Sequence, residues 1–256
     1  MALTKSTVQS FDRGLDVLSC LNVNNGASIN EIAKLTRVNR GTVYRLLETL
    51  RRKEFIRKDP NESRYWLDAA VQQLSDGYVE ESWIEKLIVP RLTALTETQR
   101  WPLSFCAPAG TSMLVRATMD FQSPLTLRRF PVGHRVSMVS SSVGLAYLSA
   151  CAPQQREALI EVLLRTLTDQ SELAMLRKPS FERQLNDINA KGFAFVAKQA
   201  LKISGIAVPI TAGKAVLGAI AIRFFSSALN QKQAVSRYVP LLMQAVSEIK
   251  SEFELL

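Results

Sequence analysis

At 256 residues the chain can bury a small and a medium core, and with 47% hydrophobic and 21% charged residues it has the make-up of an ordinary globular protein. Its formal charge of +9 favours a polyanionic partner through counterion release, a balance that many soluble enzymes share. The three cysteines, Cys20, Cys106 and Cys151, lack C-x-x-C spacing, the first residues lack the apolar core of a signal peptide, and no run approaches the ~18 apolar residues of a membrane span; the expectation is a cytoplasmic protein with no metal, cofactor or membrane partner.

In chain order, Val8 to Leu21 reads as a helix with Leu15, Leu18 and Leu21 at intervals of three, closed by a polar tract over 22–26. Ser28 followed by Glu31 is a capping box that starts a second helix at Ile29, with Ile29, Ile32, Ala33 and Leu35 on its apolar side. A turn through Thr36, Arg37 and Val38 leads to Asn39, an N-cap for a third helix whose Val43, Leu46, Leu47 and Leu50 form a buried stripe. The opposite face carries Arg40, Gly41, Tyr44 and Arg45, so that donors and an aromatic edge can meet base edges while glycine admits a close backbone. Strand-like Phe55–Lys58 and Arg64–Leu67 around a turn over 59–63 add a hairpin wing. Residues 1–67 are therefore expected to form a winged helix-turn-helix that binds double-stranded DNA through Ser28, Asn39, Arg40, Gly41, Thr42, Tyr44 and Arg45, with Arg57, Lys58 and Arg64 in the wing. The competing reading is an amphipathic helical hairpin with a solvated basic face; the wing and the local basic excess favour DNA.

Residues 68–80 are expected to be a linker helix carrying Val71, Leu74 and Tyr78, either paired between subunits or packed on the chain's own second domain over 81–256. That domain opens with a helix at 82–99, which Pro90 should kink or restart. Strands follow at Leu103–Cys106, Met113–Met119 and Leu125–Phe130, and a helix begins at the serine cluster of Ser140–Cys151. Pro153 introduces another helix, Gly192 stops one over Phe181–Lys191, and strands Ile203–Ile210 and Ala215–Phe225 form a hairpin. A last helix from Gln231 carries Tyr238, Val239, Leu242, Val246 and Ile249 on one face. The fold class is α+β: an antiparallel sheet of five or six strands with helices at both ends, a sensor of the GAF or PAS kind.

Helix-turn-helix, wing, linker and α+β domain in this order resemble the IclR family of transcriptional regulators. The resemblance is carried by VQSFDRGLDVLSCL, SINEIAKLTRVNRGTVYRLLETL, VGHRVSMVSSSVGLAYLSA and SGIAVPITAGKAVLGAIAI, and covers nearly the whole chain. RRKEFIRKDPNESRYWL, YVEESWIEKLIVPRL and RWPLSFCAPAG further resemble the branch that responds to hydroxyphenylpropionate and related aromatic acids. The resemblance implies a homodimer or homotetramer that reads a pseudopalindromic operator in catabolic gene control, with a small organic acid as effector. It also implies an effector pocket at Ser141, Ser142 and Val143, near Gly205, and along Ala221 and Arg223. Where many members are acidic before the IAVPI-like strand, this chain has FAFVAKQALKI, with Lys198 and Lys202.

The residues' own chemistry points to the same place. A carboxylate needs donors in an otherwise apolar site, and Ser140, Ser141 and Ser142 combine hydroxyls with a helix N-terminus. The strand Ala219–Arg223 sets small Ala219 and Ala221 beside Arg223 on one face. Phe105, Met113 and Met138 are candidates to line a ring, with plain core as an equal reading; Arg116, Arg128, Arg129 and Arg135 are further candidates for the carboxylate, with a solvated strand or loop residue as the favoured reading. Two other classes compete. A serine hydrolase using Ser140 to Ser142 and His134 lacks a G-x-S-x-G elbow and a placed acid, and a ligand-independent DNA-binding protein would not need so large a second domain.

Overall fold

The computed structural model describes residues 8–74, 81–126 and 128–254, with the backbone alone at residue 199. The chain divides into two compact units, Met1–Val79 and Glu80–Leu256.

In the first unit, α1 (Gln9–Val23) precedes the short strand β1 (Ala27–Ser28), α2 (Ile29–Thr36) and α3 (Arg40–Arg52), and β2 (Ile56–Lys58) and β3 (Arg64–Leu67) form the wing. The capping box at Ser28 is complete: its backbone N–H donates to the Glu31 carboxylate at 2.7 Å, and Glu31 N–H donates to its hydroxyl at 3.4 Å. Arg37 takes a left-handed conformation (φ 58°), and the Thr36 hydroxyl donates to Ile32 O at 2.8 Å, which ends α2 and turns the chain into α3. Val17, Leu21, Ile32, Val43, Leu47, Ile56 and Tyr65 seal the core. The helical spacing set Leu35 on the apolar side of α2, yet Leu35 is 56% exposed, because α2 is only eight residues long and has room for a narrow buried stripe; Leu15 on α1 is exposed as well. The wing has three strands in the order β1-β3-β2, with Ala27 paired to Tyr65.

Residues Ala69–Leu74 form a 3-10 helix, not the start of the α-helical linker expected over 68–80, and Leu74 is exposed. The remainder of that expected linker, including Tyr78, lies outside the described residues.

The second unit opens with a π-helical stretch, Ile84–Ile88, that runs into α4 (Val89–Gln99) with Pro90 in its first turn. Proline has no N–H to give an α-helical ladder, and the wider turn before it absorbs the mismatch, which is the form the expected kink takes. Strands β4 (Leu103–Ala109), β5 (Ser112–Thr118), β6 (Arg135–Ser137), β7 (Ala194–Lys198), β8 (Ile203–Ala212) and β9 (Ala215–Phe225) make one antiparallel sheet in the order β6-β5-β4-β9-β8-β7. One face packs Leu103, Phe105, Ile220, Ile222 and Phe224 against α4 and α9 (Gln231–Phe253). On the other face, Ala207, Ala219 and Ala221 leave space for α5 (Ser142–Ala150), with α8 (Pro179–Lys191) behind it. Between them run α6 (Pro153–Thr166) and α7 (Gln170–Leu176); α7 and β7 are short elements that the pattern of apolar residues did not reveal. The expected α+β class, with its winged helix-turn-helix and antiparallel sheet, is what the chain forms.

The strand expected at Leu125–Phe130 is a correction. The described residues there are turns and bends, and the Phe130 N–H donates to the Asp120 carboxylate at 2.5 Å, so it is not available to a ladder. The strand that pairs with the edge of β5 away from β4 is β6, with Met113 opposite Val136. Among the described residues no helix is long and apolar enough to cross a membrane, and no cluster of His, Cys, Asp or Glu could hold a metal ion.

Candidate functional site

Two regions collect the residues singled out above, one in each unit. In the first, Asn39 caps α3 by accepting from Thr42 N–H at 2.8 Å, which sets Arg40, Gly41, Tyr44 and Arg45 on its exposed face. Tyr44 is 50% exposed. Arg40 and Arg45 have no ion pair among the described residues, whereas Glu48, one turn on, is answered by Arg51 at 2.8 Å. The positive end of the helix dipole, two free guanidiniums and an exposed phenol thus share one surface. Ser28 and Asn39 spend their oxygens on caps. In the wing, Arg57 lies 5.9 Å from the Trp66 ring centroid and Lys58 lies 6.0 Å from that of Tyr65, so each cation has an aromatic support. Arg64 is turned inward to the unit: it donates to Gly26 O at 2.8 Å and lies 3.5 Å from Glu31 and 3.6 Å from Glu62.

The second region is a cavity of about 280 Å³ between the α5 N-terminus, the sheet and the chain connecting β5 to β6. Ser141, Ser142, Val143, Gly205, Ala221 and Arg223 all line it. Ser141 is the N-cap of α5; its hydroxyl accepts from Gly144 N–H at 3.0 Å and donates to Ser137 O. Ser142 and Val143 then hold the first helical N–H groups, which have no partner within a helix. Their neighbour across the cavity is Gly205, where a Cβ would stand 3.0 Å from the Ser142 hydroxyl oxygen.

Four of the expected lining residues lie elsewhere; one of them, Met113, is fully buried in the core on the α5 side of the sheet. Phe105 is buried on the opposite face of the sheet, against α4 and α9; a bulge between Phe105 and Cys106 shifts the register, and Cys106 lines the cavity. Met138 is sealed in the core behind α5. The Ser140 hydroxyl turns away to donate to Glu172 at 2.6 Å.

Arg223 reaches the cavity wall, but it is not a lone cation. It forms an ion pair with Asp120, whose side chain is fully buried, donates to Arg128 O at 3.2 Å, and its guanidinium lies 4.5 Å from the centroid of Phe130. Burial draws the Arg223 guanidinium down from its ordinary value, and Asp120 opposes that effect. Phe130 and Arg128 also line the cavity, and His134 stacks at 4.9 Å from Phe130. Burial, together with the charges of Arg128 and Arg223, holds the imidazole below its usual range, so His134 is neutral at pH 7. Burial pushes the Cys106 thiol up to about 12, leaving an unreactive wall group. Asp120, Phe130, His134 and Lys198 are among the lining or supporting groups that sequence reasoning did not assign to the site. Lys198, within the segment noted as departing from the family pattern, was the one with a visible signal.

Residues 10–60 match the model of the IclR helix-turn-helix domain, and residues 78–251 match that of the bacterial transcriptional regulator IclR C-terminal domain. The HTH-type transcriptional regulator TsaQ1/TsaQ2 of Comamonas testosteroni is 26% identical, over 96% of this chain and 88% of its own. Among solved structures, the IclR of Thermotoga maritima superposes with a TM-score of 0.63 at 15% identity, covering 96% of this chain and 99% of that one. An IclR homolog of Microbacterium hydrocarbonoxydans, complexed with 4-hydroxybenzoate, gives 0.61 at 16% identity over 96% of this chain and 100% of that one.

Proposed function

The chain belongs to the IclR family of bacterial transcriptional regulators, and on that premise we propose that a small aromatic acid in the α5 cavity controls its hold on a pseudopalindromic operator. It is a DNA-binding transcriptional regulator, and its relatives are regulators, not enzymes. In this reading residues 1–67 bind DNA, 68–80 connect, 81–256 sense the effector, and the working unit is a homodimer or a pair of them.

The observation that carries the effector reading is the lining of the cavity. Its described lining contains four arginine or lysine side chains and no aspartate or glutamate, and it meets the α5 N-terminus beside an apolar wall of Val115, Val143, Val196 and Ala221. A desolvated carboxylate is tolerated only with such donors, and the volume suits a single ring. The related fold that holds 4-hydroxybenzoate supports an acid of this size. Because Asp120 already answers Arg223, the carboxylate is assigned to the N–H groups and hydroxyl at Ser142 and Val143. For the alternative hydrolase, the Ser140 and Ser141 hydroxyls donate to Glu172 and to Ser137 O, so neither is an activated nucleophile.

The test is calorimetry of the full chain with 4-hydroxybenzoate beside an operator titration. Bound acid should change operator affinity by about 5- to 150-fold, and Ser142→Ala should weaken the acid while leaving effector-free operator binding intact. In the same titration, Arg40→Ala or Arg45→Ala should cost about 1–3 kcal/mol and relax discrimination at particular base pairs, whereas Arg57→Ala or Lys58→Ala should weaken all sequences alike. Unchanged acid affinity in Ser142→Ala places the pocket elsewhere, and identical losses in the two DNA sets remove α3 as the reading helix.

A further inference from the structure

The two polar ends of the cavity sit on one pair of strands, two residues apart. Across β7 and β8, Val196 pairs with Gly205 and Lys198 with Ile203. Gly205 is where the sheet meets the α5 N-terminus, at the Ser142 hydroxyl, and Lys198 and Ile203 line the cavity further along. A strand advances about 3.3 Å per residue, so these ends are separated by roughly 7 Å, about the breadth of one substituted aromatic ring.

The charges at the wall are also unequal in availability. Arg223 is neutralised by Asp120; Arg135 is held by Ala109 O at 3.0 Å and Ser112 Oγ at 2.7 Å; Arg128 lies 5.3 Å from the Phe130 centroid. Lys198 has no ion pair among the described residues. Once Asp120 is set against Arg223, three positive charges remain at the wall, and one carboxylate at α5 would leave most of that excess unanswered. A second anionic group at the Lys198 end would answer more of it.

We propose that the effector is a dianion, a single-ring acid with anionic groups at opposite positions of the ring, one received at Ser142 and Val143 and the other by Lys198. This rests on the effector site proposed above and adds the ligand's second charge to it.

Calorimetry of the full chain with benzoate, benzene-1,2-dicarboxylate and benzene-1,4-dicarboxylate at constant ionic strength tests it. The 1,4-diacid should bind at least about tenfold more tightly than the other two, and added salt should shrink that advantage. Lys198→Gln should abolish the advantage, weakening the 1,4-diacid far more than benzoate, and Lys198→Arg should keep it; Lys198 is exposed, so neither change threatens the fold. Equal affinities for benzoate and the 1,4-diacid, or an equal loss of both in Lys198→Gln, overturn the dianion. The site itself fails separately: it falls, and the dianion with it, if none of the acids binds or if Ser142→Ala leaves every affinity unchanged. If benzoate binds and Ser142→Ala weakens it while the 1,4-diacid gains nothing, only the dianion falls.

Discussion

Gly41 is a residue whose missing side chain the fold does not explain. A Cβ there would meet only Asn39 Oδ1, at 3.7 Å, in the exposed first turn of α3. At Gly26, by contrast, φ is +87° and a Cβ would stand 2.7 Å from the Trp66 ring, so glycine is needed by the unit itself. Glycine within a helix costs about 0.5–1 kcal/mol relative to alanine. Gly41→Ala should therefore stabilise the first unit by about that amount in urea unfolding while lowering operator affinity, because the methyl group stands where the duplex backbone is to approach. A stabilised variant with unchanged operator binding would show that no backbone comes close at this position. Arg64 teaches the reverse lesson: a basic wing residue can be read as a DNA contact, yet its hydrogen bond to Gly26 O and its acidic neighbours give it work inside the unit.

At the scale of elements, the segment between β5 and β6 departs furthest from its expected form. Asp120 accepts from Phe130 N–H and pairs with Arg223, and the guanidinium in turn lies over Phe130 and reaches Arg128 O. One buried carboxylate thus ties this segment to β9 and holds Phe130 and Arg223, which line the cavity. Removing one member of a buried pair leaves the other charge uncompensated, so Asp120→Asn should destabilise the second unit by about 3–5 kcal/mol. The double variant Asp120→Leu with Arg223→Leu should lose less than the two single variants summed, because no lone charge remains buried. Chemical denaturation of the four proteins reads this cycle, and strict additivity would mean that the pair does not hold the segment. The same reasoning makes Arg223→Ala a poor probe of effector binding, since it strands Asp120.

At the scale of the molecule, the proposed function requires that a ligand in the second unit alter DNA binding by the first, which it can do only by preferring one arrangement of the DNA-binding units. A symmetric pair of winged helices demands a pseudopalindromic operator, with half-site centres about one helical turn or a multiple apart. Footprinting should show two equivalent protected half-sites, and sedimentation of the complex at least two chains; a single protected half-site bound by one chain would end the symmetric reading.

The winged unit was legible because its signals are local. Ser28 with Glu31, Asn39 with Thr42, and the stripe of Val43 and Leu47 are all settled within a helical turn or two, and the caps and buried faces formed where those patterns place them. The α5 start and the β8–β9 hairpin were legible for the same reason, and Ser141, Ser142, Val143, Gly205, Ala221 and Arg223, which the family resemblance implied as pocket residues, do share one cavity. The rest depended on contacts between distant parts of the chain. Asp120 and Arg223 are 103 residues apart, and no periodicity announces that a carboxylate will divert the Phe130 N–H from a strand. The bulge at Phe105 and Cys106 decided which side chain faces the cavity, and the pairing of β7 with β8 brought Lys198 to its wall. Local spacing thus determined the helices and their caps, and the order of the motifs carried the resemblance to the family. The charge of the pocket was decided only by tertiary structure, because a side chain's partner is chosen by folded proximity, and a paired arginine and an unpaired lysine look alike in sequence.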